Sequence, residues 1–307
     1  MDDGQPLSLH RLSRDHAGDQ GGGSVTYDYH EPETVAEALA LLARHGEDAH
    51  LVAGATAFTL LWRQGLLRPG HVIGLRRIAA LGGITSTEGG LVIGATVTHR
   101  AIERAVEVGR YCPALTRTFA SVATVRVRNQ ATLGGNLAHA DPAQDPPPML
   151  IALGAEVVAT SAAGERTIPV GELFVDVFTT SLRADEILTA VRCPALAPGT
   201  RATYLKFLPR TADDYATVSV AATLRLADDG HVADVRVALG ACGPTPVRAR
   251  SVEAALRGAR PDARHIADAA ARVDADIAPF DDVRGSATYK RDMARVWTER
   301  ALTELVS

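Results

Sequence analysis

Gly54, in Leu51-Val52-Ala53-Gly54-Ala55-Thr56, and the pair Gly134-Gly135, in Arg128-Asn129-Gln130-Ala131-Thr132-Leu133-Gly134-Gly135-Asn136, constrain this chain more than any other feature. In the first motif an apolar strand runs through glycine into an expected helix. That geometry turns consecutive backbone N–H groups toward an anion at the helix N-terminus. Taken alone, such a turn is more often a tight strand-to-helix connection without a ligand. In the second motif adjacent glycines let the backbone come close to a diphosphate, because no Cβ intervenes. Thr132 and Asn136 can add side-chain hydrogen bonds there. A bare Gly-Gly would read as a turn with a helix cap, and its surroundings shift that balance. Leu137 through Pro148 is too polar and proline-rich to be expected in a core, and it offers Asp145 as a carboxylate suited to a ribose hydroxyl. Neither motif is the G-x-G-x-x-G of a Rossmann fold, and no G-x-x-x-x-G-K-[ST] is present. A dinucleotide would therefore be held by a different architecture.

Around these motifs strands alternate with helices, which predicts an α+β or α/β protein. Val35, Ala38, Leu39 and Leu42 make one apolar stripe of a helix that begins near Glu33 and stops at Gly46. Strands are expected at His50–Ala53, Leu91–Ala95 and between Leu66 and Arg76, with helices over 58–64, 99–107 and 112–123. Ala155–Ser161 and Arg166–Val170 read as a hairpin around Ala163-Gly164. In the last third, Thr217–Ala227 and His231–Ala241 are strands joined by the turn Asp228-Asp229-Gly230. Helices follow at 251–257, 263–274 and 287–305. Pro194 and Pro198-Gly199 mark a boundary. The expected division is a flexible extension at 1–24 and folded domains at 25–199 and 200–307.

Composition narrows the function. The 307 residues are 46% hydrophobic and 22% charged, ordinary for a globular protein. The net charge of -4 and the scattered Lys and Arg leave no nucleic-acid footprint. Cys112, Cys193 and Cys242 are far apart with no C-x-x-C pair, so a disulfide framework, a zinc site and an iron–sulfur cluster are poorly supported. No metal ligands are expected. No apolar run approaches ~20 residues and no basic-then-apolar leader opens the chain, so a cytoplasmic protein without a membrane span is expected.

The two motifs, continued by Leu91-Val-Ile-Gly-Ala-Thr96, Asp141-Pro-Ala-Gln-Asp145, Asp185-Glu-Ile-Leu188, Tyr204-Leu-Lys206 and Val237 through Pro246, resemble the flavoprotein (medium) subunits of the molybdenum hydroxylase family, the relatives of xanthine dehydrogenase and aerobic carbon monoxide dehydrogenase. The resemblance runs from about Tyr27 to the C-terminus. It implies an α+β protein with a vanillyl-alcohol-oxidase (PCMH)-type FAD-binding fold in two subdomains, followed by a carbon monoxide dehydrogenase flavoprotein C-terminal domain. It implies that Leu51, Ala53, Gly54, Ala55, Thr56, Ala57 and Phe58 clasp the FAD diphosphate together with Thr132, Gly134, Gly135 and Asn136, and that Val122 lies beside them. Asp145 matches a carboxylate near the adenosine ribose, Leu188 and Lys206 match positions lining the cofactor's two ends, and Tyr215 matches a loop residue flanking the isoalloxazine ring. Because neither glycine loop contains lysine, backbone donors in both are expected to neutralise the diphosphate. Many relatives have a second glycine and an acidic residue where this chain has Ala55 and Ala57.

The resemblance further implies an electron-transfer subunit without a catalytic acid/base pair. His139 and Asp141 then shape the loop. Partner subunits would be a large molybdopterin-binding chain and a small iron–sulfur (2Fe-2S) chain, as a dimer of heterotrimers, with NAD+, a quinone or oxygen as the final acceptor. The competing readings are a self-contained FAD-dependent oxidase or reductase and a non-catalytic assembly subunit with a decayed flavin site.

Overall fold

A computed structural model describes residues 27–209, 211 and 214–307; the extension expected at 1–24 lies outside them. Strand β1 (Asp28–His30), which the hydrophobic pattern did not signal, is only three residues long. Thr34 then caps helix α1 (Val35–His45) by accepting the Glu37 N–H, and Gly46 ends that helix at positive φ. Strand β2 (Ala49–Val52), helix α2 (Thr56–Arg63) and strand β3 (His71–Gly74) complete the first unit. Its sheet has the order β1-β3-β2 and is parallel throughout. Parallel neighbours need crossover connections, and α1 and α2 supply them. Ligands of such sheets gather beyond the carboxyl ends of the strands, and Gly54 leaves β2 at that end.

The second unit begins with β4 (Ile84–Thr87) and β5 (Gly90–Gly94). A run of short helices follows: α3 (His99–Arg104), α4 (Val106–Tyr111), α5 (Pro113–Ala120), α6 (Val125–Arg128), α7 (Leu133–His139) and α8 (Pro146–Leu153). The single helix expected over 99–107 is thus two, broken at Ala105, whose extended backbone closes α3. Strands β6 (Glu156–Ser161) and β7 (Gly164–Pro169) form the expected hairpin. Helix α9 (Val170–Leu173), the small hairpin of β8 (Phe174–Asp176) and β9 (Thr179–Thr180), and strand β10 (Ile187–Pro194) follow. The sheet order is β4-β5-β10-β6-β7.

Helix α8 corrects the expectation that Leu137–Pro148 avoids the core. Pro146, Pro147 and Pro148 open that helix, where a missing N–H costs nothing, and every residue of α8 is buried. What covers it is the third sheet, β11 (Arg201–Phe207), β12 (Val218–Leu226), β13 (Val232–Gly240) and β14 (Val247–Arg248), in that order. Helices α10 (Arg250–Leu256), α11 (Ala263–Ala270) and α12 (Ala287–Val306) pack on its other face.

Strand β12 therefore lies between two layers, and its sequence sorts them. Val218, Val220, Ala222 and Leu224 enter the core with the C-terminal helices, while Ala221 joins the core around α8. On that second face the Thr223 hydroxyl donates to the Ala152 carbonyl of α8 at 3.2 Å. Replacing Thr223 by valine keeps the volume and removes this bond. We expect Thr223→Val to lower stability by about 1 kcal/mol, read as a lower urea midpoint with unchanged slope.

Candidate functional site

The loop after β2 holds a non-glycine residue at positive φ. Ala55 stands at φ 54 and ψ 16, the left-handed region, and from there α2 begins without a side-chain cap. Holding a residue with a Cβ in that region costs roughly 1–2 kcal/mol. The first acceptor used within this turn is the Ala55 carbonyl, which takes the Thr59 N–H at 2.9 Å. Among the described residues, the consecutive amides of Gly54, Ala55, Thr56, Ala57 and Phe58 find no protein acceptor. Phe58 is fixed beside them, its ring stacked on His50 at 5.4 Å and edge-on to Tyr27. Leu51 and Ala53 are half-buried below the turn.

Gly54 joins this loop to the second one. A Cβ there would lie 1.9 Å from the Gln130 carbonyl oxygen and 2.9 Å from Ala131 Cα, so the two backbones touch with no room for a side chain. The contact places the free amides next to Thr132.

The second motif opens a helix. Thr132 caps α7, and Gly134 and Gly135 form the first turn of that helix. Its amides are already used: Leu133 donates to Val97, Gly134 to Ala95, Gly135 to the Thr132 hydroxyl and Asn136 to the Thr132 carbonyl. The expectation that both loops present backbone donors is therefore corrected. The first loop has them free, and the second spends them on its own cap and on the strand it crosses. The two glycines also differ. Gly134 is buried, and a Cβ on it would sit 2.7 Å from that of Ala95, whereas Gly135 is exposed and would meet only the Thr132 hydroxyl. Asn136, one turn along, carries a buried Oδ1 with no partner among the described residues.

Beneath these loops lies a buried charge cluster. Tyr204 donates to Asp145 at 2.5 Å, and Lys206 donates both to the other Asp145 oxygen at 2.9 Å and to the Ser121 carbonyl at 3.0 Å. Asp145 and Lys206 side chains are each 5% exposed. Asp145 is a carboxylate fixed in place, with each oxygen accepting one hydrogen bond from the protein. Lys206 is the last but one residue of β11. Burial pushes the Asp145 carboxyl above its ordinary value, opposed by the Lys206 charge and the two hydrogen bonds. Burial and the adjacent Asp145 charge hold the Tyr204 phenol well above its own range.

The corner Ser121–Ala123, which includes the nearly buried Val122, is held from a second side. Arg128 donates to the carbonyls of Val122 and Ala123, both at 2.8 Å, and to Glu103 at 3.0 Å. Leu188 lies in the main core at 6% exposure, on β10. Tyr215 is exposed on its loop, with the Arg284 guanidinium 5.0 Å from its ring centre. His139 packs against Phe178, and the nearby Asp141 carboxylate accepts the Ala143 N–H.

Two residues at this site had no role in the sequence reading. Tyr204 was seen only as part of a motif, and nothing in its spacing says that its hydroxyl reaches Asp145. His99 is buried, with its backbone N–H held by the Ala131 carbonyl and its ring edge-on to Phe119. Burial lowers its pKa to about 4, so it supports the second loop as a neutral ring.

Comparison with known proteins decides the family. The model of the FAD binding domain in molybdopterin dehydrogenase matches residues 24–196, and that of the CO dehydrogenase flavoprotein C-terminal domain matches residues 203–305. The chain belongs to the molybdenum hydroxylase family, as its FAD-binding medium subunit. It is 34% identical to the carbon monoxide dehydrogenase medium chain of Hydrogenophaga pseudoflava over 276 residues, covering 90% of this chain and 96% of that one. It is 32% identical to the 6-hydroxypseudooxynicotine dehydrogenase complex subunit alpha of Paenarthrobacter nicotinovorans, covering 91% and 94%. A solved carbon monoxide dehydrogenase from Hydrogenophaga pseudoflava superposes with a TM-score of 0.87 at 36% identity, covering 90% and 96% of the two chains. The fold is the mixed helix and sheet arrangement that the resemblance implied, and the chain is a subunit of an oxidoreductase. Among the described residues no helix is long and apolar enough to cross a membrane.

Two outcomes follow from the geometry. Gly134→Ala should destabilise the flavin-free protein by roughly 1–3 kcal/mol through overpacking against Ala95, while Gly135→Ala should stay within about 1 kcal/mol of the parent; thermal unfolding of both checks the contrast. Lys206→Met should cost roughly 3–5 kcal/mol because it strands a buried carboxylate. Adding Asp145→Asn should restore part of that loss, as a double-mutant cycle would measure.

Proposed function

We propose that this chain carries electrons for a molybdenum hydroxylase whose substrate is chosen on another subunit. The observation that carries the reading is the row of unpartnered amides at Gly54–Phe58, pressed against the second glycine motif. Backbone donors aligned at the start of a helix favour an anion, and a loop without lysine has only those donors to offer one. In this reading Ala53 through Phe58 hold the FAD diphosphate by backbone. Gly135 leaves space for it, and Thr132 and Asn136 complete the grip through their side chains. The unpartnered Asn136 oxygen fits that role.

Val122, Leu188, Lys206 and Tyr215 line the remainder of the cofactor site in the same reading. Asp145 sets Tyr204 and Lys206 in place. Each of its oxygens can accept a second hydrogen bond, which leaves capacity for a ribose hydroxyl. Bound FAD supplies the single-electron and hydride chemistry, and this chain binds it, orients it and shields it from water. The division into domains at 25–199 and 200–307 belongs to this proposal.

The partners we infer are a large molybdopterin-binding subunit and a small 2Fe-2S subunit, assembled as a dimer of heterotrimers in the cytoplasm. The names of the relatives, a medium chain and a complex subunit, support a multi-subunit assembly. The final acceptor is NAD+, a quinone or oxygen. The absence of any C-x-x-C pair supports placing the clusters on a partner.

The purified chain should be yellow and release FAD on denaturation. Gly135→Leu should remove the bound flavin while the far-ultraviolet circular dichroism stays that of the parent. Full flavin content in that variant would overturn the assignment of the diphosphate loop.

A further inference from the structure

Away from the glycine motifs, the parallel sheet brings together three histidines that the sequence scatters. His30 ends β1, His71 begins β3 beside it, and His45 is the last residue of α1. The register of the sheet is the cause, because His30 pairs with Ile73 two residues beyond His71 on the same strand, which puts both side chains on one face. Helix α1 crosses that face and ends over them. His30 Nε2 and His71 Nδ1 are 3.1 Å apart, and the His45 and His71 rings stand 3.6 Å apart centre to centre. One nitrogen from each ring lies within 4.8 Å of the other two.

From this geometry we infer that His30, His45 and His71 form a binding site for a divalent transition-metal ion of the zinc class, separate from the flavin site. Three imidazoles suit zinc, copper or nickel rather than magnesium or calcium. Tetrahedral zinc with nitrogen ligands at about 2.0–2.1 Å needs donor separations near 3.4 Å, so the rings close on an ion by small side-chain rotations. His45 Nε2 is buried and has no partner among the described residues, which is the state of a ligand atom awaiting one. The rings are half-buried, open enough for an ion to enter. The Asp28 carboxylate lies 3.9 Å from His71 Nδ1 and favours a cation there, while Arg44 faces the group from α1.

Held in this way, an ion would clamp β1 and β3 to the end of α1, on the unit whose β2 and α2 carry the diphosphate loop. It would stabilise that unit without touching the cofactor.

The test uses the full chain, treated with chelator and then titrated with zinc chloride against a chromophoric competitor. One zinc per chain is expected. His30→Gln, His45→Gln and His71→Gln should each weaken binding by more than the roughly tenfold expected when a supporting group beside a ligand is lost. His50→Gln, on the adjacent strand, should leave binding unchanged. Cobalt(II) should give visible d–d bands in the parent that His45→Gln loses. Flavin content and thermal midpoint confirm that each variant is folded, so a failure here is distinguishable from a failure of the flavin reading. No zinc uptake by the parent, or equal uptake by the triple histidine variant, would overturn the inference.

Discussion

The contact between Gly54 and the Gln130–Ala131 backbone decides how the rest of this molecule can be used. A strand of the first sheet and the entry to helix α7 belong to different units, and they meet there at a distance that admits no side chain. Because the approach is so close, the amides that follow Gly54 cannot fold back onto their own chain. They remain open while the neighbouring motif closes its hydrogen bonds internally. One loop therefore contributes unpaired donors and the other a rigid wall with an exposed glycine. Two identical donor loops would each have needed a left-handed or otherwise strained entry. Here Ala55 bears that cost at the entry to α2, and Thr132 enters α7 with an extended backbone.

The buried Asp145–Lys206 pair performs a different task. Such a pair adds little net stability, because desolvation offsets its attraction. What it contributes is specificity of placement. Lys206 reaches from the third sheet to the Ser121 carbonyl at the end of α5 and to Asp145 at the start of α8, and Tyr204 completes the set. The C-terminal sheet is thereby registered against α5 and α8, the helices on either side of the second motif in the chain. The small residues on one face of β12 allow the same approach by packing, since Ala221 and Thr223 let the buried helix α8 come near. Polar registration and close packing agree on a single arrangement.

Much of this was legible from residue pattern. The stripe of α1, the hairpins at Ala163-Gly164 and at Asp229-Gly230, and both glycine motifs appear where periodicity and turn chemistry place them. The failures share a cause. Leu137–Pro148 reads as a loop because its prolines and acids avoid cores on average, yet Pro146–Pro148 sit at a helix N-terminus and Asp145 has partners from a distant strand. The three-residue β1 has too few residues to show a period. His30, His45 and His71 lack the spacing of a ligand motif, because their neighbourhood is made by strand order and not by local sequence.

The sequence by itself determined the family and the location of the two motifs, because glycine requirements and long motif context are local and specific. It also showed three scattered cysteines with no C-x-x-C pair, which is not the ligand pattern of an iron–sulfur cluster. Only the tertiary structure decided which glycine is packed and which exposed, which loop leaves its amides unpartnered among the described residues, and that Asp145 is paired. Those are properties of distance between segments remote in the chain, and burial energetics across such distances leave no trace in the order of residues.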